Sequence, residues 1–457
     1  MGRRAGPRRR AEISALADPA VLPDPYPVLA GLREASPFTE AGGALVVVGR
    51  HEHCSAILRD PRASSERNNS LLAPPEMRAQ RAPSFLSLDP PDHTRLRRLV
   101  SKAFAPRVIA RLEPRIRELT DDLLAAAAVQ GDGDGGSGEG RGGGRGAGGG
   151  SEVRARRLEV VSQLAYPLPV RIISELLGVP AGDHARFAGW SASLAHSLQP
   201  QFIAADRAPA AAAAQQARLE FADYFRELIA ARRARPTDDL LSELIRAEDD
   251  GQRLSEQELI ATCVLLLVAG HETTVSLISN AILALLRHPD QLAALRADPG
   301  LAAGAVEETL RYDAPVQFTG RVARGGMQVG RLSAPDGAVL MLLLAATGRD
   351  PQVFDDPDAF DIRRGAANHL AFAAGPHFCL GAPLARLEAT IAVRAFATRV
   401  ADPELDPAGL AYKPNLNLRG PGRLVVGFAG ITRVPEGRPP GTAQNFPEGR
   451  PPGSTRN

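Results

Sequence analysis

Residues 372–381 read Phe-Ala-Ala-Gly-Pro-His-Phe-Cys-Leu-Gly, and residues 382–398 follow with the apolar spacing of a helix. Cys379 therefore stands between glycines, just before a predicted helix start. Glycine permits the tight turns and the close backbone approach that such a loop requires. The positive end of the helix dipole favours the thiolate form of a cysteine placed there. The segment predicts a cysteine that binds a metal or reacts.

The chain has three cysteines in 457 residues, and they are widely separated. A lone cysteine is usually a small buried hydrophobic residue. We expect this of Cys54 and Cys263, because neither lies in a loop that also carries glycine and histidine. The spacing gives no disulfide framework, which is typical of a reducing compartment and predicts a cytoplasmic protein.

A second motif lies inside a long apolar segment. Residues 256–286 predict one helix, and Ser255 with Glu258 has the pattern of a capping box at its start. Residues 269–274, Ala-Gly-His-Glu-Thr-Thr, interrupt the apolar run. Taken alone, this interruption is more typical of a solvated polar turn on a buried helix than of a reactive site.

The residue types in that interruption also fit the chemistry of O–O bond cleavage. Such cleavage consumes protons, so an acid and a hydroxyl are needed beside an apolar pocket, and Glu272 with Thr273 supply them. The small residues Ala269 and Gly270 would let a diatomic ligand approach the backbone. Because a threonine hydroxyl can bond a carbonyl one turn back, we expect a local bulge in the helix.

Together these stretches resemble the cytochrome P450 family. Residues 372–381 match its haem-binding signature F-x-x-G-x-H-x-C-x-G, and residues 269–274 match its A-G-x-[DE]-T-T pattern at the expected distance before it. One departure is Ala373, which stands where the family commonly has glycine. The resemblance covers roughly residues 24–434 and implies a single domain of cytochrome P450 fold.

The resemblance implies that haem b is the cofactor and that Cys379 is the axial ligand to its iron. A thiolate ligand pushes electron density onto iron and favours O–O cleavage. Glu272 and Thr273 take the catalytic roles in the family pattern. His93, Arg97, Arg321 and His377 correspond to contacts of the haem propionates. The full set implied to bind the cofactor is His93, Arg97, Ala269, Gly270, Arg321, Phe372, Gly375, His377, Cys379 and Gly381.

Glu308 and Arg311 stand one helical turn apart and can form an ion pair. Most such pairs lie on the surface, but in the family E-x-x-R is the buried pair behind the haem. The third partner is usually an arginine, and Ala359 occupies its place here. Either Arg363 or Arg364 could replace it. Gly348, where asparagine is common, is expected to be a local change.

Helical spacing of apolar residues runs through most of the chain, for example over residues 112–124. Short β-type runs stand between turn residues at 44–48, 338–343 and 424–428, without βαβ alternation. The fold class predicted is therefore mainly α with small β-sheets.

Three segments fall outside the predicted core. Residues 1–23 read as a flexible basic tail, residues 131–151 as a glycine-rich loop insertion, and residues 435–457 as a disordered Pro/Gly-rich tail. A formal G-x-G-x-x-G match begins at Gly131. It has no strand before it, so we do not interpret it as a nucleotide site. The enzyme domain is assigned to residues 24–434.

The bulk composition limits the partners. With 54 basic and 52 acidic residues the net charge is +2, which argues against a dedicated nucleic-acid binder. The longest mainly apolar run, residues 261–270, is shorter than the roughly 20 residues of a membrane span, so no membrane association is expected. The cysteines are too few for a four-cysteine iron–sulfur cluster. Ferredoxin and ferredoxin reductase are therefore the implied external electron donors.

The sequence predicts a haem-thiolate monooxygenase that inserts one atom of O₂ into a small hydrophobic substrate in secondary metabolism. Two alternatives stay open: a peroxide-driven haem-thiolate peroxygenase, and a non-catalytic haem-thiolate binding or sensor protein. Glu272 and Thr273 argue against the first and Cys379 against the second. By resemblance, the substrate pocket walls are residues 68–85, 191–202, 268–269, 316–317 and 415–418.

Overall fold

The computed structural model describes residues 13–16, 18–73, 84–133, 156–196, 208–249, 251–365 and 368–432. The predicted tail 435–457 lies outside these residues, as do residues 134–151 of the predicted insertion. The first three residues of that insertion end a helix.

Helices make up most of the described chain. Their bounds are α1 Tyr26–Ala35, α2 His51–Arg59, α3 Asp92–Ala103, α4 Pro106–Gly133, α5 Pro167–Leu176, α6 His184–His196, α7 Ala208–Ala234, α8 Leu240–Arg246, α9 Glu256–Arg287, α10 Pro289–Ala297, α11 Ala302–Tyr312, α12 Leu344–Thr347 and α13 Ala382–Arg399. Short 3-10 turns and a π-helical turn at Val161–Ala165 connect some of them. The mainly α prediction is confirmed.

The strands are short and form small sheets. Their bounds are β1 Phe38–Glu40, β2 Leu45–Val48, β3 Ala63–Ser64, β4 Arg156–Glu159, β5 Glu248–Asp249, β6 Gln252–Arg253, β7 Thr319–Ala323, β8 Met327–Val329, β9 Leu332–Ala334, β10 Val339–Leu342, β11 Val400–Ala401, β12 Glu404–Tyr412, β13 Pro421–Phe428 and β14 Gly430–Ile431. The predicted runs 44–48, 338–343 and 424–428 coincide with β2, β10 and the end of β13.

The largest sheet has five strands in the order β1-β2-β10-β7-β3, and its β2–β10 pair is parallel while the other pairs are antiparallel. A three-stranded sheet has the order β12-β13-β4, and three two-stranded ribbons pair β5 with β6, β8 with β9 and β11 with β14. The parallel pair β2–β10 joins strands that lie far apart in the sequence and does not form a βαβ unit. This agrees with the lack of βαβ alternation in the sequence.

Helix α9 lies at the centre of the helical core and packs against α5, α7, α11 and α13. It begins with the predicted capping box, in which Ser255 and Glu258 bond reciprocally. Most of its side chains from Val275 to Leu285 are buried, because helices surround it on several sides.

By length and composition alone, α9 also meets the description of a membrane span. It has 32 residues, and an 18-residue window has a mean hydropathy of 1.6. The expectation drawn from residues 261–270 therefore underestimated the apolar length. Over half of that window, 56%, is buried inside the protein, as in the core helix of a soluble fold.

Candidate active site

The loop before α13 is held in shape by backbone hydrogen bonds. The N–H of Cys379 donates to the carbonyl of Phe372 at 3.0 Å, and that of Phe378 donates to Gly375 at 3.0 Å. Gly375 has φ +68°, and a Cβ at this position would lie 2.2 Å from the carbonyl oxygen of Leu58. Only glycine meets both conditions, so Gly375 fixes how closely the loop packs on α2.

Ala373, where glycine is common in the family, also has a positive φ, +58°. Its N–H donates to the carbonyl of Leu370 at 2.8 Å. An L-residue in this left-handed conformation costs about 1 kcal/mol relative to glycine. The departure therefore keeps the shape of the loop and lowers its stability.

Helix α13 begins at Ala382 with Gly381 as its N-cap residue. The backbone N–H groups of Gly381 and Ala382 favour the thiolate of Cys379, as the sequence predicts for a helix start, and the guanidinium of Arg97 acts in the same direction. Burial acts more strongly in the other direction, so the pKa of the Cys379 thiol is raised. A stable thiolate here therefore depends on a bound cation.

Cys379 opens onto a cavity of about 280 Å³, so its side chain is exposed on that side although protein encloses it elsewhere. Residues of α9 line the same cavity. Of the predicted site, the structure brings together on this cavity Arg97, Ala269, Gly270, Thr273, Arg321, Phe372, His377, Cys379 and Gly381. Gly375, His93 and Glu272 do not line it.

On α9 the two threonines bond carbonyls one turn back. Thr273 Oγ1 donates to the carbonyl of Ala269 at 2.9 Å, and Thr274 Oγ1 donates to Gly270 at 2.8 Å. The expected bulge is wrong: α9 is one uninterrupted α-helix from Glu256 to Arg287. The hydroxyls add a bond to these carbonyls and leave the helical ladder intact.

Glu272 points away from the cavity and pairs with residues that the sequence did not indicate. Lys413 Nζ donates to its Oε2 at 2.8 Å, and His271 Nε2 lies 3.5 Å from its Oε1. Burial would raise the pKa of Glu272, but His271 and Lys413 outweigh it and lower the pKa to about 2. Glu272 is therefore a carboxylate at neutral pH, 141 residues away in sequence from the lysine that holds it.

Two histidines lie together beside the cavity, and of the two only His377 lines it. The rings of His93 and His377 lie 4.0 Å apart between centroids. His93 is buried, and neither of its ring nitrogens has a partner among the residues described. Burial lowers the pKa of His377 to about 3, with further lowering by His93, Arg321 and Arg97. Both imidazoles therefore keep hydrogen-bonding capacity free toward a ligand.

Arg97 and Arg321 add permanent positive charge to the same wall. Arg97 donates to the carbonyl of Phe378, and Arg321 donates to Gly320 at 2.8 Å. Burial, with Arg67 nearby, lowers the pKa of Arg321 to about 10. Neither guanidinium forms an ion pair with a described carboxylate, so this wall presents unpaired positive charge to the cavity.

The Glu308–Arg311 pair is buried, as the resemblance implies. Arg311 donates from Nε and Nη2 to the two carboxylate oxygens of Glu308 at 2.8 and 2.7 Å. Arg364 donates to the same carboxylate at 3.2 Å and also bonds the carbonyl of Ala359. Of the two candidates for the missing arginine, Arg364 therefore takes the place.

Gly348, the other departure in this region, has a local role. Its carbonyl accepts a bond from Arg311 at 2.8 Å. A Cβ there would lie 2.1 Å from the carbonyl oxygen of Arg311. The missing side chain lets this turn approach the end of α11.

Cys54 and Cys263 are buried, and burial raises the pKa of both thiols. Neither lines the cavity, so the packing role predicted for them agrees with their position. Among the described residues no group of three or more His, Cys, Asp or Glu side chains could hold a metal ion. A metal at Cys379 would therefore have a single protein ligand and needs others from a cofactor.

The sequence matches the family model for cytochrome P450 over residues 193–299 and 301–397. The cytochrome P450 monooxygenase PikC of Streptomyces venezuelae is 41% identical over 430 residues, covering 90% of this chain and 95% of PikC. The chain belongs to the cytochrome P450 family.

Two further relatives place this P450 among bacterial enzymes. The 6-deoxyerythronolide B hydroxylase of Saccharopolyspora erythraea is 36% identical over 424 residues, covering 89% of this chain and 96% of that protein. The ligand-free crystal structure of Mycobacterium smegmatis CYP164A2 superposes with a TM-score of 0.80 at 44% identity, over 92% of this chain and 100% of that one. The P450 fold and the haem-thiolate monooxygenase class predicted from the sequence are confirmed.

Family members bind haem b through a cysteine thiolate, and the described residues fit this group. Cys379 faces the cavity from a loop, and small residues of α9 face it from the other side. The orphaned nitrogens of His93 and the unpaired Arg97 and Arg321 suit the carboxylates of a haem. The thiol and the unpaired cationic and imidazole groups of the site thus suit the resident cofactor of a P450.

The substrate walls of this P450 agree only partly with the predicted segments. Phe85, Ala269 and Val316 line the cavity, but residues 415–418 do not. In that segment the side chain of Asn415 caps its own turn by accepting from the N–H groups of Asn417 and Leu418. The other predicted wall segments cannot be compared with the cavity in full. Residues 74–83 and 197–202 lie outside the described residues, and most side chains of residues 191–196 are not described either.

Sequence reasoning missed two charged residues on the cavity, Arg67 and Glu388. Arg67 precedes the predicted wall 68–85 by one residue. Glu388 is buried on α13 and has no hydrogen bond to a described residue, and burial raises its pKa to about 8. A charge in a sequence normally indicates a solvated surface, which is why neither was singled out.

Proposed function

We propose that this P450 inserts one oxygen atom from O₂ into an apolar organic substrate in the cavity between Cys379 and Thr273. The observation that carries the proposal is that these two side chains, one from the loop before α13 and one from α9, line the same cavity. Haem b, when bound there, supplies the iron at which O₂ is reduced and from which one oxygen atom is transferred.

Cys379 would hold the haem iron through its thiolate, since the residue lines the cavity from a loop whose backbone is fixed. His93, Arg97, Arg321 and His377 would hold the propionates through charge-assisted bonds. Gly375 contributes by holding the loop against α2 rather than by touching the cofactor.

Thr273 Oγ1 would hold a proton beside the reacting oxygen. Its bond to the carbonyl of Ala269 orients the hydroxyl at the cavity surface. Glu272 would carry protons toward Thr273 from outside the cavity, and to do so its carboxylate must leave Lys413. The lysine thereby becomes part of the proposed proton route.

The apolar walls favour a medium-sized hydrophobic natural product, of the polyketide, terpenoid or macrolide type. The relative named for hydroxylation of 6-deoxyerythronolide B supports a role in secondary metabolism. Ferredoxin and ferredoxin reductase would supply electrons, and the protein would work in the cytoplasm. The functional unit would be residues 24–434.

The test is the absorption spectrum of the reduced protein with carbon monoxide. Wild-type protein gives the red-shifted Soret band of a thiolate-ligated haem, and Cys379→His abolishes it because imidazole replaces the thiolate. Cys54→Ala and Cys263→Ala are matched controls that keep the band, since both side chains are buried away from the cavity. If Cys379→His retained the band, another residue would be the ligand and the proposal would fall.

A further inference from the structure

Arg67 is a charged residue on the cavity that the roles proposed above leave unused. It belongs to the 3-10 turn Arg67–Asn69 and lines the cavity together with Ser65 and Phe85. Its guanidinium makes no hydrogen bond and no ion pair with any residue that the structure describes. Arg67 is exposed in this structure and lines the cavity. The turn thus presents an uncompensated cation to the cavity.

The charges around the cavity leave one cation in excess once a haem is bound, a count that rests on the proposed function. Arg67, Arg97 and Arg321 are permanently charged, and none is paired with a described carboxylate. The two propionates of a haem neutralise two of them.

The nearest acid does not supply the third charge. Asp89 has an electrostatic effect on Arg321 but no ion pair with it. Its carboxylate accepts hydrogen bonds from Ser64 and Ser65 and pairs with Arg324. Glu388, on the α13 side of the cavity, holds its proton at neutral pH because burial raises its pKa to about 8. One positive charge therefore stays unmatched.

Arg97 and Arg321 are the arginines that belong with the cofactor. Arg97 donates to the carbonyl of Phe378, the residue before Cys379, and Arg321 lines the cavity together with His377 and Cys379. Arg67 is exposed and lines the cavity without a described partner, so its guanidinium is available to an anion that a ligand brings.

We propose that Arg67 recognises an anionic group, a carboxylate, on an otherwise apolar substrate. A planar guanidinium binds a carboxylate through two parallel hydrogen bonds, which fixes both position and orientation. The apolar walls near Phe85, Val316 and Leu344 would cover the remainder of the substrate. Because Arg67 and Thr273 line the same cavity, holding one end of a substrate at Arg67 would select which carbon lies near Thr273.

The probe is a set of ligands that differ only in charge: decanoate, dodecanoate and tetradecanoate, each with the alcohol of equal length. Binding to the haem-loaded full chain is followed by the spin-state shift of the Soret band. The carboxylates are expected to bind about tenfold to a hundredfold more tightly than the alcohols, as for a charge-assisted hydrogen bond.

Two variants and a control sharpen the test. Arg67→Gln should remove the preference for the carboxylate and leave the affinity for the alcohol within about twofold. Arg67→Glu should invert the preference toward dodecyltrimethylammonium, which cannot ligate iron. Arg62→Gln removes an exposed arginine that pairs with Asp60, and it should change neither affinity.

Haem content per chain separates this role from cofactor binding. Loss of haem in Arg67→Gln with an unchanged carboxylate preference would assign Arg67 to the propionates and overturn the proposal. Equal binding of acids and alcohols, or no shift with any carboxylate, would overturn it as well. The carbon monoxide band tests the proposed function independently, since a normal band with no carboxylate preference removes only the role of Arg67.

Discussion

The loop that carries Cys379 and the stretch of α9 opposite it border the same cavity, but they are built differently. The loop depends on backbone conformation: two of its residues, Ala373 and Gly375, have positive φ, and one of them is pressed against Leu58. The α9 wall is a regular helix whose special features are all side chains. Changes to the loop should therefore affect whether the site exists, and changes to α9 should affect what the site does.

The two walls also bury a glutamate each, in opposite states. On α9, Lys413 and His271 stabilise the carboxylate of Glu272 and lower its pKa to about 2. On α13, Glu388 has no described partner, and burial raises its pKa to about 8. The comparison shows that burial alone does not decide the charge of an acid; the presence of a cationic partner does.

The largest effect of breaking the loop is expected from Gly375→Ala. The new Cβ would combine a left-handed backbone with a contact 2.2 Å from the Leu58 carbonyl oxygen, so the loop must move. We expect a loss of about 3 kcal/mol or more in the free energy of unfolding and reduced haem content. Gly365→Ala is the control, because Gly365 has φ +65° with open space around it and should cost about 1 kcal/mol only. Equal losses at both positions would show that packing against α2 is unimportant.

On α9, side-chain changes should leave haem binding intact and alter turnover. Glu272→Gln should slow NAD(P)H consumption by about a hundredfold, because the relay acid is lost. Thr273→Ala should let consumption continue, while product per electron pair falls several-fold and hydrogen peroxide rises. Thr274→Val is the matched control, since its hydroxyl bonds Gly270 in the same way. Well-coupled turnover in both variants would refute the acid-alcohol pair and favour the peroxide-driven alternative.

The two glutamates should differ in how they affect stability with pH. The folded-state pKa of Glu388 is raised above the unfolded value, so its presence destabilises the fold increasingly as pH rises from about 4.5 toward 8. Glu388→Gln should therefore stabilise the protein by about 4 kcal/mol near pH 8 and by about 1 kcal/mol near pH 5. Urea unfolding followed by circular dichroism at the two pH values measures the difference. A gain that did not depend on pH would mean that Glu388 is ionised in the fold.

The smallest expected effect is a gain from Ala373→Gly in the loop. Glycine adopts φ near +58° without the steric cost that alanine has, so the free energy of unfolding should rise by about 1 kcal/mol. Unfolding in urea provides the value, and the carbon monoxide band should not change. A loss of stability would indicate that the Ala373 methyl group contributes more by packing than it costs by conformation.

Much of this site could be predicted because its residues form contiguous patterns. Cys379 with its glycines and histidine, and Ala269 to Thr274 on one helix, are each encoded within a few positions. Local rules for helix start, turn and residue type then suffice, and the capping box at Ser255 followed from them. The fold class followed in the same way, from apolar spacing repeated along the chain.

The partners that come from distant segments could not be predicted. Lys413 meets Glu272 across 141 positions, and Arg364 reaches Glu308 across 56. Nothing near either residue in the sequence marks the contact. The predicted bulge in α9 was wrong for another reason. A threonine hydroxyl can bond a carbonyl one turn back with or without opening the helix, and the residue type alone does not decide which of the two occurs.

Helix α9 has a consequence for how the chain is made. Its apolar residues are synthesised before α11 and α13, two of the helices that cover them. At about 5–20 residues per second, the roughly one hundred residues up to the end of α13 take several seconds. During that interval a segment apolar enough to cross a membrane lacks two of the helices that cover it in the folded protein.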